Sequence, residues 1–165
     1  MKKSAFLTIT FVAIFVFAQI RESKAQIKLG GGLAFGTDIE TLGISARGLI
    51  PVTDVIDVVP NLIYFFPNDL GFDIDQRLFE FNGDAHYNFE GNGTIQPYAK
   101  AGLNICFFSI DNPVGEEFNE TDIGLNLGGG LNFSIGSVET YGEVKYTIGI
   151  DQLVLGGGVL FPVGN

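Results

Sequence analysis

Residues 78–89, LFEFNGDAHYNF, alternate without a slip. Phe79, Phe81, Gly83, Ala85, Tyr87 and Phe89 fall on one side, and Glu80, Asn82, Asp84, His86 and Asn88 on the other. Side chains two apart share a face only in a β-strand, so the stretch is a strand with one apolar and one polar face. Four aromatics on the apolar face suit a hydrocarbon-facing wall between interfacial belts. Acids, amides and a histidine on the other suit the lumen of a small membrane barrel.

The remaining strands are read outward from this one. Residues 26–36 alternate Ile27, Leu29, Leu33 and Phe35 with Lys28, Gly30, Gly32 and Ala34. Residues 42–52 set Leu42, Ile44, Ala46 and Ile50 against Gly43, Ser45 and Arg47. In residues 56–66 both faces are apolar; Leu62, Tyr64 and Phe66 face out if Asn61 faces in. The quoted strand extends to 76–89. Residues 95–108 place Lys100, Asn104 and Cys106 opposite Ala99, Ala101, Leu103 and Ile105, and residues 122–134 oppose Asn126 and Asn132 to leucines. Residues 138–148 put Glu139, Tyr141, Glu143 and Lys145 on one side, and residues 152–161 end on Phe161.

This pattern gives eight strands of about ten residues, the length a tilted strand needs to cross a bilayer. The expected fold is all-β, an eight-stranded antiparallel up-and-down transmembrane β-barrel occupying residues 26–165. After Ala25 no apolar run is long enough for a helical span, so in lipid only barrel closure satisfies every backbone N–H and C=O. Turns after strands two, four and six read as tight, with Asn92-Gly93 a strong hairpin signal. The connections 67–75 and 109–121 read as longer, acidic loops on the opposite side.

The first 25 residues read as an export signal. Met1-Lys2-Lys3 is basic, 5–20 is an apolar run, and Ser23 and Ala25 carry the small-residue spacing of a cleavage site before Gln26. Beyond Ala25 five basic residues face 18 acidic ones, a net charge of −13. Such a balance argues against nucleic acid, whose binders set Lys and Arg against phosphate. Cys106 is the single cysteine, so no intramolecular disulfide is expected.

Candidate site residues lie on the polar faces. Lys28, Arg47, Lys100 and Lys145 oppose Glu80, Asp84, Glu139 and Glu143, four against four, and are expected to share one lumen network with His86. Isolated buried charges are costly, so a narrow interior demands such balance. Eight-stranded barrels are just wide enough for side chains to fill, which favours a packed polar plug over an ion path. His86, the only histidine, has no neighbouring serine, and no G-x-S-x-G elbow occurs. It is expected to bond a carboxylate in the lumen rather than to catalyse. The acidic stretch 111–122 lacks the spacing of an EF-hand loop, and no metal or cofactor is expected. The triplets Gly30–Gly32, Gly128–Gly130 and Gly156–Gly158 do not fit a phosphate-binding fingerprint; two of them are expected near the seam where the first and last strands meet.

The Gly-rich first strand, the leader ending Ser-Lys-Ala, the run Gln96-Pro97-Tyr98-Ala99-Lys100-Ala101-Gly102-Leu103 and the closing strand through Phe161 together resemble the small outer-membrane β-barrel domain family, porin-like and akin to OmpX and OmpW. One departure is that Pro162-Val163-Gly164-Asn165 follows Phe161, where such barrels usually end on an aromatic. The resemblance implies the outer membrane of a Gram-negative-type cell, with lipid, lipopolysaccharide and the barrel-insertion machinery as partners, and a monomer. It implies an architecture more than an activity. A non-enzymatic structural or surface-interaction role leads; a conduit for a small hydrophobic ligand comes second. A soluble lipocalin-like barrel, apolar inside and polar outside, is third. The direction of Phe79, Phe81 and Tyr87 separates the last from the others.

Overall fold

The computed structural model of the chain describes residues 26–69, 75–111 and 117–163. The leader assigned to residues 1–25 lies outside them, as do 70–74, 112–116 and the last two residues. Eight strands follow in order: β1 (Ile27–Gly36), β2 (Thr41–Pro51), β3 (Ile56–Asp69), β4 (Asp75–Asn88), β5 (Ile95–Asp111), β6 (Glu117–Ile135), β7 (Val138–Ile148) and β8 (Gln152–Val163). Each pairs antiparallel with the next, and β8 returns to β1, closing the barrel. Closure leaves no edge strand with unpaired backbone groups.

Alternation is converted directly into facing. Along β4, Glu80, Asn82, Asp84 and His86 are buried in the lumen, whereas Phe79, Phe81 and Tyr87 are 37, 43 and 50 % exposed on the outer wall. Leucines, isoleucines and valines from the other seven strands join them outside. This distribution inverts that of a lipocalin-like barrel and overturns the soluble reading. Aromatics gather in the two halves of the wall. Tyr64, Phe79 and Phe107 form a cross-strand row in the half away from the chain termini, and Tyr87, Phe89, Phe133 and Phe161 lie toward the end where the termini emerge. Two such bands are what a hydrocarbon slab bounded by two polar interfaces selects.

The facing of β3 is settled by its partners. Asn61 is 3 % exposed and aligned with Arg47 and Asn82, so Leu62 and Phe66 point outward while Val59, Ile63 and Phe65 enter the lumen. These apolar entrants explain why sequence alternation failed there. Phe65, Ile63, Leu78, Cys106, Ala34 and Val154 form one apolar cluster, and Leu49, Val59, Tyr141 and Leu160 a second. The interior is therefore a polar layer with apolar patches nearer its two ends, rather than polar throughout.

The described parts of the stretches expected as long acidic loops, 67–75 and 109–121, continue the ladder. Pairing of β3 with β4 runs on to Asp69 opposite Asp75, past a register shift between Phe65 and Asn68 where Pro67 supplies no N–H. Pairing of β5 with β6 runs on to Asp111 opposite Glu117. Main-chain hydrogen bonds sustain a ladder without side-chain alternation, so acidic composition alone masked these extensions. The β5–β6 hairpin, with strands of 17 and 19 residues, is the tallest part of the wall.

At the seam Gly32 pairs with Gly158 and Gly30 with Leu160. A Cβ on Gly158 would lie 2.3 Å from the carbonyl oxygen of Gly31, and one on Gly32 would lie 2.2 Å from that of Gly157. Only glycine permits this approach. Gly142, by contrast, has nothing within 4 Å of an added Cβ.

Two outcomes follow from this geometry. Replacing Phe81 or Leu125, 43 and 54 % exposed on the wall, with arginine should destabilise the membrane-inserted barrel by about 2–4 kcal/mol near the midplane. The check is loss of the heat-modifiable band from the membrane fraction. In refolding into detergent micelles, Gly158→Ala should sharply reduce the yield of closed barrel while Gly142→Ala leaves it near the parental level.

Candidate functional site: the charged lumen

The lumen is built by side chains that the pleat turns inward at matching heights. Glu80, Asn82 and Asp84 of β4 face Asn104 of β5, Asn126 of β6 and Lys145 and Thr147 of β7. All are essentially without solvent exposure. Lys145 Nζ donates to Glu80 Oε2 at 2.5 Å and to Asn82 Oδ1 at 3.0 Å. Asn82 Oδ1 also accepts from the Nδ2 groups of Asn104 and Asn126, each at 2.8 Å. Thr147 Oγ1 donates to Asn126 Oδ1, and Asn126 Nδ2 also reaches Asp84 Oδ1 at 2.9 Å.

Asp84 carries the network onward. Its Oδ2 lies 2.9 Å from Lys100 Nζ, which is 3.0 Å from Glu143 Oε1. Glu143 also pairs with Arg47 and accepts from the Tyr98 hydroxyl at 2.7 Å. The Arg47 guanidinium lies over the Tyr141 ring, 3.9 Å from its centroid, adding a cation–π contact in a desolvated place. Six of the nine expected site residues are thus one connected chain: Glu80, Lys145, Asp84, Lys100, Glu143 and Arg47.

The other three are placed differently. Lys28 and Glu139 form their own pair at 2.8 Å. Glu139 stands near the start of β7, four residues below Glu143. At about 3.3 Å rise per residue it sits too far down the wall to join the central group, so the single nine-residue network divides in two. His86 is buried in the lumen, but the expected carboxylate bond is not formed; neither ring nitrogen has a hydrogen-bond partner among the described residues. The carboxylates that could have served it are occupied, Asp84 by Lys100 and Asn126, Glu143 by Lys100, Arg47 and Tyr98. Instead the imidazole stacks on Tyr98, with centroids 4.3 Å apart and planes 9° from parallel.

Two groups of participants were missing from the expected set. Asp57 of β3 is 7 % exposed and accepts from Asn88 Nδ2 at 2.7 Å. The apolar text on both faces of β3 hid it. The amides Asn82, Asn104 and Asn126 were visible as lumen-phase residues, yet only the cross-strand register shows that they bridge the acid–base pairs.

A closed wall of outward apolar residues around a filled interior whose central acids and bases pair defines an eight-stranded transmembrane β-barrel. No protein-family model and no curated protein matches the chain. Solved structures match it over nearly its full length at low identity. Neisserial surface protein A superposes with a TM-score of 0.67 at 18 % identity, covering 86 % of this chain and 100 % of that one. The N-terminal β-barrel domain of Pseudomonas aeruginosa OprF gives 0.68 at 16 % identity, with coverage of 86 % and 100 %. Ail, the attachment invasion locus protein of Yersinia pestis, in complex with the heparin analogue sucrose octasulfate, gives 0.59 at 17 % identity, with coverage of 82 % and 97 %. The fold is that of the small outer-membrane barrels.

Because Lys100 is buried between two acids, its removal leaves both underpaired in a dry interior. Lys100→Met should cost about 3–5 kcal/mol, read as a lowered urea midpoint of the barrel in lipid vesicles. Glu90→Gln, at an exposed position beyond β4, should leave the midpoint unchanged.

Proposed function

We propose that the chain is a non-enzymatic outer-membrane barrel, exported through a leader cleaved after Ala25, with a structural or surface-interaction role. The observation that supports this reading is the inversion of polarity: hydrocarbon side chains outside, paired charges inside. That pattern has a low free energy only when the wall is surrounded by lipid. The even strand number brings both chain ends to one mouth, and the tall β5–β6 hairpin rises at the other. Placing the termini in the periplasm and the tall side outward agrees with short periplasmic turns. No edge strand is offered for pairing, which favours a monomer, with lipid and lipopolysaccharide around the wall and the barrel-insertion machinery acting on the closing strand.

The outward surface is anionic. Four of the five bases beyond Ala25 (Lys28, Arg47, Lys100 and Lys145) pair with lumen acids, and the fifth, Arg77, is exposed on the exterior. Asp38, Glu40, Glu120, Asp122 and Asp151 are exposed around the outer end. A sulfated polyanion of the kind bound by Ail would be repelled here, so a surface partner should be cationic or joined through divalent ions.

A conduit for small hydrophobic compounds is the competing role, and the packed centre argues against it. Glu80, Asn82, Asn104, Asn126 and Thr147 have no exposed surface, and Lys145 has 1 %. Purified protein in planar bilayers should therefore show no large, steady conductance. Reproducible porin-sized openings would transfer the assignment to transport.

A further inference from the structure

The mouth where the termini emerge holds a second polar site, separate from the central network. A cavity of about 270 Å³ opens there, lined by residues that include Lys28, Asp54, Asp57, Asn88 and Glu139. Three carboxylates face Lys28 and, once the leader is cleaved after Ala25, the α-ammonium of Gln26, which also lines the cavity, so this mouth keeps a formal excess of one negative charge. Its buried acceptors are incompletely used. Glu139, 8 % exposed, gives Oε2 to Lys28, while its Oε1 has no hydrogen-bond partner among the described residues. Asn88, also 8 % exposed, is oriented by donating Nδ2 to Asp57, which leaves Oδ1 as an unpartnered acceptor.

We propose that this mouth binds a small organic cation through a guanidinium or primary ammonium group. The unmet groups are acceptors, so the complement must donate hydrogen bonds; the charge excess requires it to be positive. Guanidinium and ammonium groups carry donors and no acceptor. A metal ion is a poorer complement, since among the described residues no three acidic, histidine or cysteine side chains converge as a ligand set. The cavity is large enough for such a head group with a short alkyl stem. Buried acceptors left unmet are costly, and a charge-assisted donor relieves that cost more strongly than a neutral one. The site depends on the barrel and its register, and not on which side of the membrane the mouth faces.

The test uses the full chain as purified from membranes, with n-butylguanidinium and n-butylammonium as probes and n-butylurea as the neutral isostere. Binding is followed by calorimetry and by side-chain amide NMR signals of Asn88. The cations should bind at least about tenfold more tightly than the urea. Asp57→Asn should weaken them by about tenfold, and Asp54→Asn, in the exposed turn, should weaken them less without touching the packing. Lys28→Met removes the resident cation that competes for Glu139 and should tighten binding, the opposite of what a purely structural loss would give. Heat-modifiability on a gel, recorded for each variant, separates failure to fold from failure to bind. Equal affinity for the urea, no binding by the folded parent, or weakened binding in folded Lys28→Met would overturn the proposal. None of these results bears on the location of the barrel, which membrane fractionation tests separately.

Discussion

Backbone hydrogen bonding is the constraint from which the rest of this molecule follows. In hydrocarbon an unpaired N–H or C=O has no water to turn to, and each costs several kcal/mol. The pairing of β8 with β1 removes the last free ladder. Closure with eight strands fixes a narrow bore, and a narrow bore decides what the inward side chains can be. They must fill the space, and where charged they must meet an opposite charge.

The lumen solves that problem by distributing each charge over several partners. Glu143 collects Arg47, Lys100 and Tyr98, and Asn82 ties Lys145 to two further amides. Asparagine suits the bridging positions because it both donates and accepts, whereas the lysines only donate and the carboxylates only accept. The apolar clusters nearer the two ends then keep the polar layer away from solvent. Arg47 Nε, Glu80 Oε1, Asn104 Oδ1 and both His86 nitrogens have no hydrogen-bond partner among the described residues, so stability here rests on each central charge meeting an opposite one rather than on every polar atom being satisfied.

Much of this was legible in the sequence because a strand's period is two and the bilayer rewards a strict sorting of faces. Strand β7 was bounded at the observed residues, and Phe79, Phe81 and Tyr87 face as the alternation required. What escaped were properties that depend on neighbours rather than on period. The inward Val59 and Phe65 erase alternation in β3, and with it the inward Asp57. The ladder beyond Phe108 needs only main-chain pairing, which composition does not encode. His86 has the right phase for a carboxylate partner, but competition from Lys100 and Arg47 for the same oxygens is a matter of register and side-chain reach.

The glycine-lined meeting of β1 and β8 has a kinetic side. It joins Ile27 to Val163, the first described strand to the last, so it encloses almost the whole chain in a single loop. Every other pairing is between consecutive strands and can form locally. Loop-closure entropy and high contact order therefore fall on one contact, and the glycines there surrender the most backbone freedom of any residue. Completion of the barrel must wait until the final strand is available, and the partly assembled sheet carries two open edges until then. The same glycines, by removing side chains from the joint, let those edges slide together without a steric barrier at the moment of docking.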